Sequence, residues 1–337
     1  MVFISIYLDN VGFIEYCARL SLKYAKEDGR KLFFAFYGIV SFLTIFTSND
    51  IIILTFTPFV CYVAKNSDVD PKPYLIAEFF AANTWSMMLL IGNPTNIFIT
   101  TAYGMSFIEY LKWMLLPTIV GGITNILLLY SVFRKRINKR ITLKNNCTPS
   151  DAIKDKYGAV FGLVLLLLCI IALSIGPYYG IQMWMISFVF ALILFFALLI
   201  KGVLKHQPLR TIYPIVRRMP LSIIPFILSF FILITALEVY GITNKIGSVL
   251  NNTANSRTSY IFLYGILSAL ASNLMNNIPM SVAFSSIMSN VSNDNLNAVI
   301  LATVIGSNLG ANITPIGALA GIMWMGSVDK LFYKKHL

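Results

Sequence analysis

Charge is scarce in this sequence of 337 residues: Asp, Glu, Lys and Arg make up 12% of it, about half the share found in a soluble domain. Histidine is almost absent. The two copies, His206 and His336, form no HExxH arrangement, so the helix-borne zinc site of a metalloprotease is excluded. No GxxxxGK[ST] stretch occurs, which removes the phosphate-cradling loop that ATP hydrolysis would need. The four cysteines, Cys17, Cys61, Cys147 and Cys169, share no metal-ligand spacing and read as reduced, structural thiols. Paired aspartates at protease spacing are missing too. These gaps argue against an enzyme and against a bound metal or organic cofactor. No signal peptide is expected at this start, because residues 1–8 are apolar but short, have no basic start and run into Asp9.

Apolar residues supply 57% of the chain, and mean hydropathy is +0.75. Residues 114–133, 158–176, 181–200 and 220–237 are runs of 18 to 20 positions, long enough to cross a hydrocarbon core of about 30 Å. The fold class expected is therefore all-α, a polytopic protein of the cell membrane. Net charge is +12, but it is concentrated in two segments, 134–157 and 201–219, at either end of the apolar pair 158–200. Loops rich in Lys and Arg stay in the cytoplasm, so both segments and the C-terminus are expected there. No aromatic residues alternate with the basic ones as a nucleic-acid stacking platform would require.

Two apolar regions do not fit simple spans. Residues 32–64 are interrupted by Ser48-Asn49-Asp50 and flanked by Arg30, Lys31 and Lys65. Each half is shorter than the ~20 residues of a full crossing, which suggests a re-entrant hairpin. Residues 259–290 are broken by Ser272-Asn273-Leu274-Met275-Asn276-Asn277-Ile278-Pro279 and read as a second hairpin, entering from the opposite side after an external loop at 238–257. Each is followed by a broken helix. Residues 74–103 break at Gly92-Asn93-Pro94-Thr95-Asn96, and 298–325 break between Gly306 and Gly317. Gly and Pro release backbone groups from the helix ladder, and a bilayer tolerates this only where the backbone is buried in protein or lines a polar cavity.

Hairpin followed by broken helix, twice and from opposite faces, is an inverted repeat of the kind that places a binding site near the midplane. The expected organisation is a first repeat at 1–133, a basic cytoplasmic linker at 134–157 and a second repeat at 158–337. Three spans precede the second hairpin, whereas only the stub 1–14 and an amphipathic stretch, 13–26, precede the first. By symmetry, N-terminal helices are expected to be missing.

The breaks also hold the candidate site residues. A carboxylate inside an apolar membrane segment costs roughly 3 kcal/mol or more, so Asp50 is expected to face a cavity and carry a coupling proton or touch substrate. The other reading is that it caps the half-helix that follows. Asn49, Asn93, Asn96, Asn273, Asn276, Asn277, Asn308 and Asn312 offer amide donors and acceptors that together replace a hydration shell, or else serve the broken backbone. Ser48, Thr95, Ser272, Ser307 and Thr314 are hydroxyl candidates beside them. Glu78 reads as an interfacial anchor in preference to a second proton site.

Ser272 through Pro279, followed by Gly310-Ala311-Asn312-Ile313-Thr314-Pro315-Ile316-Gly317-Ala318-Leu319-Ala320, closely resembles the C-terminal signature of the arsenical pump membrane protein (ArsB-like) family. Ser48-Asn49-Asp50 with Thr57-Pro58, and Gly92 through Asn96, resemble its first-half counterparts. The likeness runs from Leu8 onward and extends to the ion transporter superfamily, which includes citrate and dicarboxylate carriers and NhaD-type antiporters. It implies a scaffold plus a transport region, often a homodimer, working by alternating access. Arsenical pumps export arsenite or antimonite against protons, some of them with an ATPase partner. Where they usually carry Pro-Lys or a similar pair, this chain has Ala311-Asn312, which leaves room for a different solute. A sodium-coupled citrate or dicarboxylate carrier and a Na⁺/H⁺ antiporter are the alternatives; the absence of basic residues within the breaks favours a neutral or weakly charged solute.

Overall fold

Polar residues set into apolar sequence decide where the helices begin and end. The computed structural model describes residues 1–67, 69–138, 141, 148–204, 206–219, 221 and 223–332. Among these it contains sixteen α-helices, short 3₁₀ turns and no strand. Cys147, His336, the basic residues Lys139, Arg140, Lys144 and Lys205, the first residue of the run 220–237 and the chain end at 333–337 lie outside the described residues.

Helices α1 (Val2–Asn10) and α2 (Phe13–Ala25) form the N-terminal layer, α2 burying Ile14, Ala18, Leu22 and Ala25 along one face. Helix α3 (Gly29–Phe46) starts at Asp28, whose carboxylate accepts from the backbone N–H groups of Arg30 (2.8 Å) and Lys31 (3.4 Å). Such a cap satisfies donors that a helix start otherwise leaves open. It ends at Thr47, and α4 (Asn49–Ser67) follows after Ser48, so this break falls at the polar triplet. Next come α5 (Lys72–Trp85), α6 (Pro94–Ala102) and α7 (Phe107–Ile137). At 31 residues, α7 is about 46 Å long and overshoots the hydrocarbon core. Helices α8 (Lys156–Ile175) and α9 (Met183–Leu204) pair around the 3₁₀ turn Gly176–Tyr179. The chain continues through α10 (Pro208–Arg217), α11 (Ile223–Val239), α12 (Ile242–Thr253), α13 (Arg257–Met275), α14 (Asn277–Ile287), α15 (Asn293–Gly310) and α16 (Leu319–Phe332).

Among the described residues five helices are long and apolar enough to cross a membrane, and α11 with α12, bent by 71° at their junction, make a sixth candidate. Burial runs opposite to that of a water-soluble fold. Phe188, Phe196, Ile224, Ile232 and Leu233 face outward, while Glu78, Asn96, Thr100 and Asn308 are fully enclosed. Hydrocarbon as solvent demands this inversion.

Polar contacts gather the basic segments at one end of the molecule. Arg136 lies 3.6 Å from Asp70, Lys201 pairs with Asp155, Ile141 N donates to Glu27 O (2.7 Å) and Lys154 N donates to Val11 O (3.0 Å). At the far end, Tyr103 donates to Ser285 O and Asn297 donates to Glu109 (3.3 Å).

Three expected boundaries differ. Residues 238–257 are no loop; most of them form α12, which buries Thr243 and Gly247 against α14 while Ile246 and Val249 face outward. Its many Asn and Ser residues mask a helical period. The break in 74–103 opens earlier than Gly92, at Ser86. The later break spans only the turn between Gly310 and Leu319, so Ser307 and Asn308 are helical. Gly306 and Gly310 do not unwind α15; they let it press against Gly265 and Ala269 of α13, as small residues do at membrane helix interfaces.

Candidate substrate and ion site

Between α5 and α6 the chain leaves the helix for eight residues, and the site grows from how that gap is held. Tyr110 donates its hydroxyl to Met87 O (2.7 Å), and the Asn96 amide donates to Ser86 O (2.9 Å) and Leu89 O (3.3 Å). Gly92 crosses over Ser86 so closely that a Cβ would overlap the Ser86 carbonyl oxygen. Asn93 then caps α6 by accepting from Thr95 N (3.1 Å), with Pro94 as the first helical residue, where its missing N–H is harmless. Gly92→Ala is expected to destabilise the protein by about 1–3 kcal/mol, read as a lowered melting temperature in detergent.

Asn308 of α15 enters this gap. Its Oδ1 accepts from Asn93 Nδ2 (3.0 Å) and Ser86 Oγ (3.1 Å), and its Nδ2 donates to Asn96 Oδ1 (2.9 Å) and Val304 O (2.9 Å). A second amide chain runs beside it. Asn49 Nδ2 donates to Asn83 Oδ1 (3.4 Å), Asn83 Nδ2 to Asn312 Oδ1 (3.2 Å), and Asn312 and Asn125 both donate to Thr84 Oγ1 (3.3 and 2.8 Å). Residues more than 200 positions apart are thus joined by buried neutral hydrogen bonds. Each such bond contributes only about 1 kcal/mol net, weak enough for a hydroxylated solute to exchange with it.

The remaining sequence candidates divide. Asn273 holds the later break, donating to Ala269 O and Gly310 O (both 2.8 Å) and accepting from Thr314 N (3.0 Å) and Oγ1 (2.7 Å). Asn276, at φ +76°, caps α14 through Ile278 N (3.3 Å) and donates to Ile316 O (3.1 Å). Ser272 bonds the preceding turn of its own helix, and Ser307 donates to Val304 O (3.0 Å) while accepting from Asn308 Nδ2 (3.4 Å). Among the described residues, Thr95 Oγ1 and Asn277 Oδ1 are buried with no partner.

Asp50 does not cap α4. Asn49 Oδ1 takes the first free backbone donor (2.9 Å), and the Asp50 carboxylate faces a cavity of about 60 Å³ shared with Ser48, Pro94, Asp9 and Arg218. Arg218 Nη2 sits 2.5 Å from Asp9 Oδ2, so its charge is met by a carboxylate other than Asp50. Among the described residues no cluster of three or more His, Cys, Asp or Glu is arranged to hold a metal.

Sequence reading missed Asn83, Thr84, Ser86 and Asn125, although Asn83-Thr84-Trp85-Ser86 is a visibly polar step in an apolar helix. Arg218 carries no such signal. Glu78 is no interfacial anchor: it is wholly buried, its Oε1 accepting from Thr57 Oγ1 (2.9 Å).

Residues 1–306 match the family model described as citrate transporter (CitMHS). The chain belongs to the citrate transporter family. It is 30% identical over 259 residues to an arsenical pump membrane protein of Escherichia coli (strain K12), an alignment covering 76% of this chain and 59% of that protein. An uncharacterized transporter of Synechocystis sp. is 24% identical, covering 76% of this chain and 57% of its own length. A silicon efflux transporter of Oryza sativa subsp. japonica is 28% identical over 150 residues, or 44% of this chain and 30% of the plant protein. The chain therefore spans a little under three fifths of the bacterial relatives it matches. Membership of the citrate transporter family, with the helices above, makes this a multi-pass membrane protein.

Proposed function

We propose that the chain moves a small hydroxylated or oxyanion-type solute of the arsenite or antimonite class out of the cell, by alternating access, with protons as the coupling ion and Asp50 as a proton carrier. The observation that carries this reading is the buried amide network joining Asn83, Ser86, Asn93 and Asn96 to Asn308 and Asn312. Neutral amides on two broken segments match a solute that presents hydroxyl groups. In this reading 1–133 and 158–337 are the two repeats and 134–157 the cytoplasmic linker, with Asn273, Asn276, Asn277 and Thr314 shaping the second repeat's half of the site. The cavity beside Asp50 has room for only a few water-sized groups, which favours a compact solute over a tricarboxylate. The names of the Escherichia coli and Oryza sativa relatives agree with a small metalloid solute.

A sodium-coupled carboxylate carrier is the second reading, favoured by Arg218 at the edge of the Asp50 cavity. Its pairing with Asp9 leaves little net positive charge there, and that supports the first. Expression in arsenite-sensitive cells, with citrate uptake measured in parallel, separates the two. Asp50→Asn is expected to lower proton-driven flux in vesicles about tenfold; full flux in that variant would remove Asp50 from the coupling step.

A further inference from the structure

We propose that Glu78, held by Thr57, is a second proton-binding site inside the membrane domain, separate from Asp50. The inference rests on the proton-coupled reading for its consequence in transport, whereas proton occupancy at Glu78 stands on the local geometry. Glu78 lies on the second turn of α5 with no exposed surface. One carboxyl oxygen accepts from Thr57 Oγ1 at 2.9 Å, and the other, Oε2, has no hydrogen-bond partner among the described residues. An ionised carboxylate left in that condition in an apolar interior is strongly disfavoured. A carboxylic acid forgoes at most one hydrogen bond, so the arrangement suits the neutral, protonated form.

Among the described residues no counter-charge replaces that proton. Helices α3, α4, α7, α15 and α16 pack against α5. From α4 the titratable group within electrostatic reach is Cys61, one turn beyond Thr57. The other four bring no charged side chain to Glu78 among the described residues. Releasing the proton therefore requires Oε2 to meet water or a cation, which a change of access supplies.

The position links the two parts of the site. Thr57 follows Asp50 by seven residues and lies on nearly the same face of α4, about 10 Å along the axis. Glu78 precedes Asn83 by five residues on α5. Pro58, next to Thr57 and inside α4, supplies no N–H to the Leu54 carbonyl, so this turn already has one backbone acceptor outside the helix ladder. A proton carried at Glu78 is thus held by the two helices that bear Asp50 and the first amides of the network.

The test is infrared titration of protonated-carboxyl signals in the purified full chain reconstituted in vesicles, comparing wild type, Glu78→Gln, Asp50→Asn and the double variant. The expected result is a pH-dependent protonated-carboxyl signal that disappears in Glu78→Gln and persists in Asp50→Asn. Thr57→Val, which removes the donor but leaves Glu78, should move that signal without abolishing it. Loss of the signal should accompany at least a tenfold fall in proton-driven flux, with partial recovery in Glu78→Asp. Overturning results are an unchanged spectrum in folded Glu78→Gln, or a Glu78 signal that stays constant at every pH and under both gradient directions. Flux that ignores the proton gradient in wild type would sink the proton-coupled function, and the Glu78 signal would still judge this site by itself.

Discussion

Replacing Asn308 with Leu is expected to abolish transport and lower stability by about 3 kcal/mol. The amide is fully buried and serves Asn93, Ser86 and Asn96 at once. Leucine, of similar size, leaves Asn93 Nδ2 and Asn96 Oδ1 facing an aliphatic surface. Unpaired buried groups cost about 1–3 kcal/mol each. Loosened helices in a membrane find some alternative partners, which pulls each value to the lower end of that range. Ser86 also keeps its bond to Asn83 O (2.8 Å), and Asn96 keeps those to Ser86 O and Leu89 O, so the loss is local and the chain still inserts. A melting curve in detergent reads the stability change. Asn308→Asp supplies the control: it preserves the acceptor for Asn93 and Ser86 but turns an oxygen toward Asn96 Oδ1. Acid should restore it in part, because a protonated carboxyl donates again, whereas Leu should stay inactive at every pH.

The places where apolar sequence is interrupted were legible because hydrocarbon makes interruptions expensive. Ser48, Asn93 with Pro94, and Asn276 mark the helix ends where they were expected. Polar groups on intact helices were harder to see. Asn83 and Asn125 break no helix ladder, so a search for breaks passes over them. Glu78 looked interfacial because it is near the basic end of its helix, and only the packing of α4 over α5 shows its enclosure. Arg218 reaches the Asp50 cavity across 168 positions of sequence, a proximity no local pattern encodes. The glycines misled for a further reason: Gly as helix breaker and Gly as packing surface look alike until the neighbouring helix is known.

That ambiguity makes Gly306 the sharpest test of how packing supports the site. A Cβ there would overlap Gly265 O and Ser268 Oγ, and one at Gly310 would lie 2.5 Å from Ala269 Cα. Both neighbours are backbone or nearly so and cannot swing aside. Gly306→Ala must therefore push α13 and α15 apart, at about 1–3 kcal/mol for overpacking, which exceeds the ~1 kcal/mol of helix propensity that Ala returns. Gly265→Ala, on the facing helix, meets Ala302 O only at 3.5 Å, and should be neutral or slightly stabilising. The same displacement should silence transport. Asn308 lies between Gly306 and Gly310 on the opposite side of α15 and reaches Asn93 and Asn96 at 3.0 and 2.9 Å. A shift of half an ångström toward α6 compresses those bonds, and a tilt of α15 opens them. Gly306→Ala is thus expected to lose flux along with thermal stability, while Gly265→Ala keeps both; equal melting temperatures for the two variants would mean that α13 and α15 do not meet backbone to backbone.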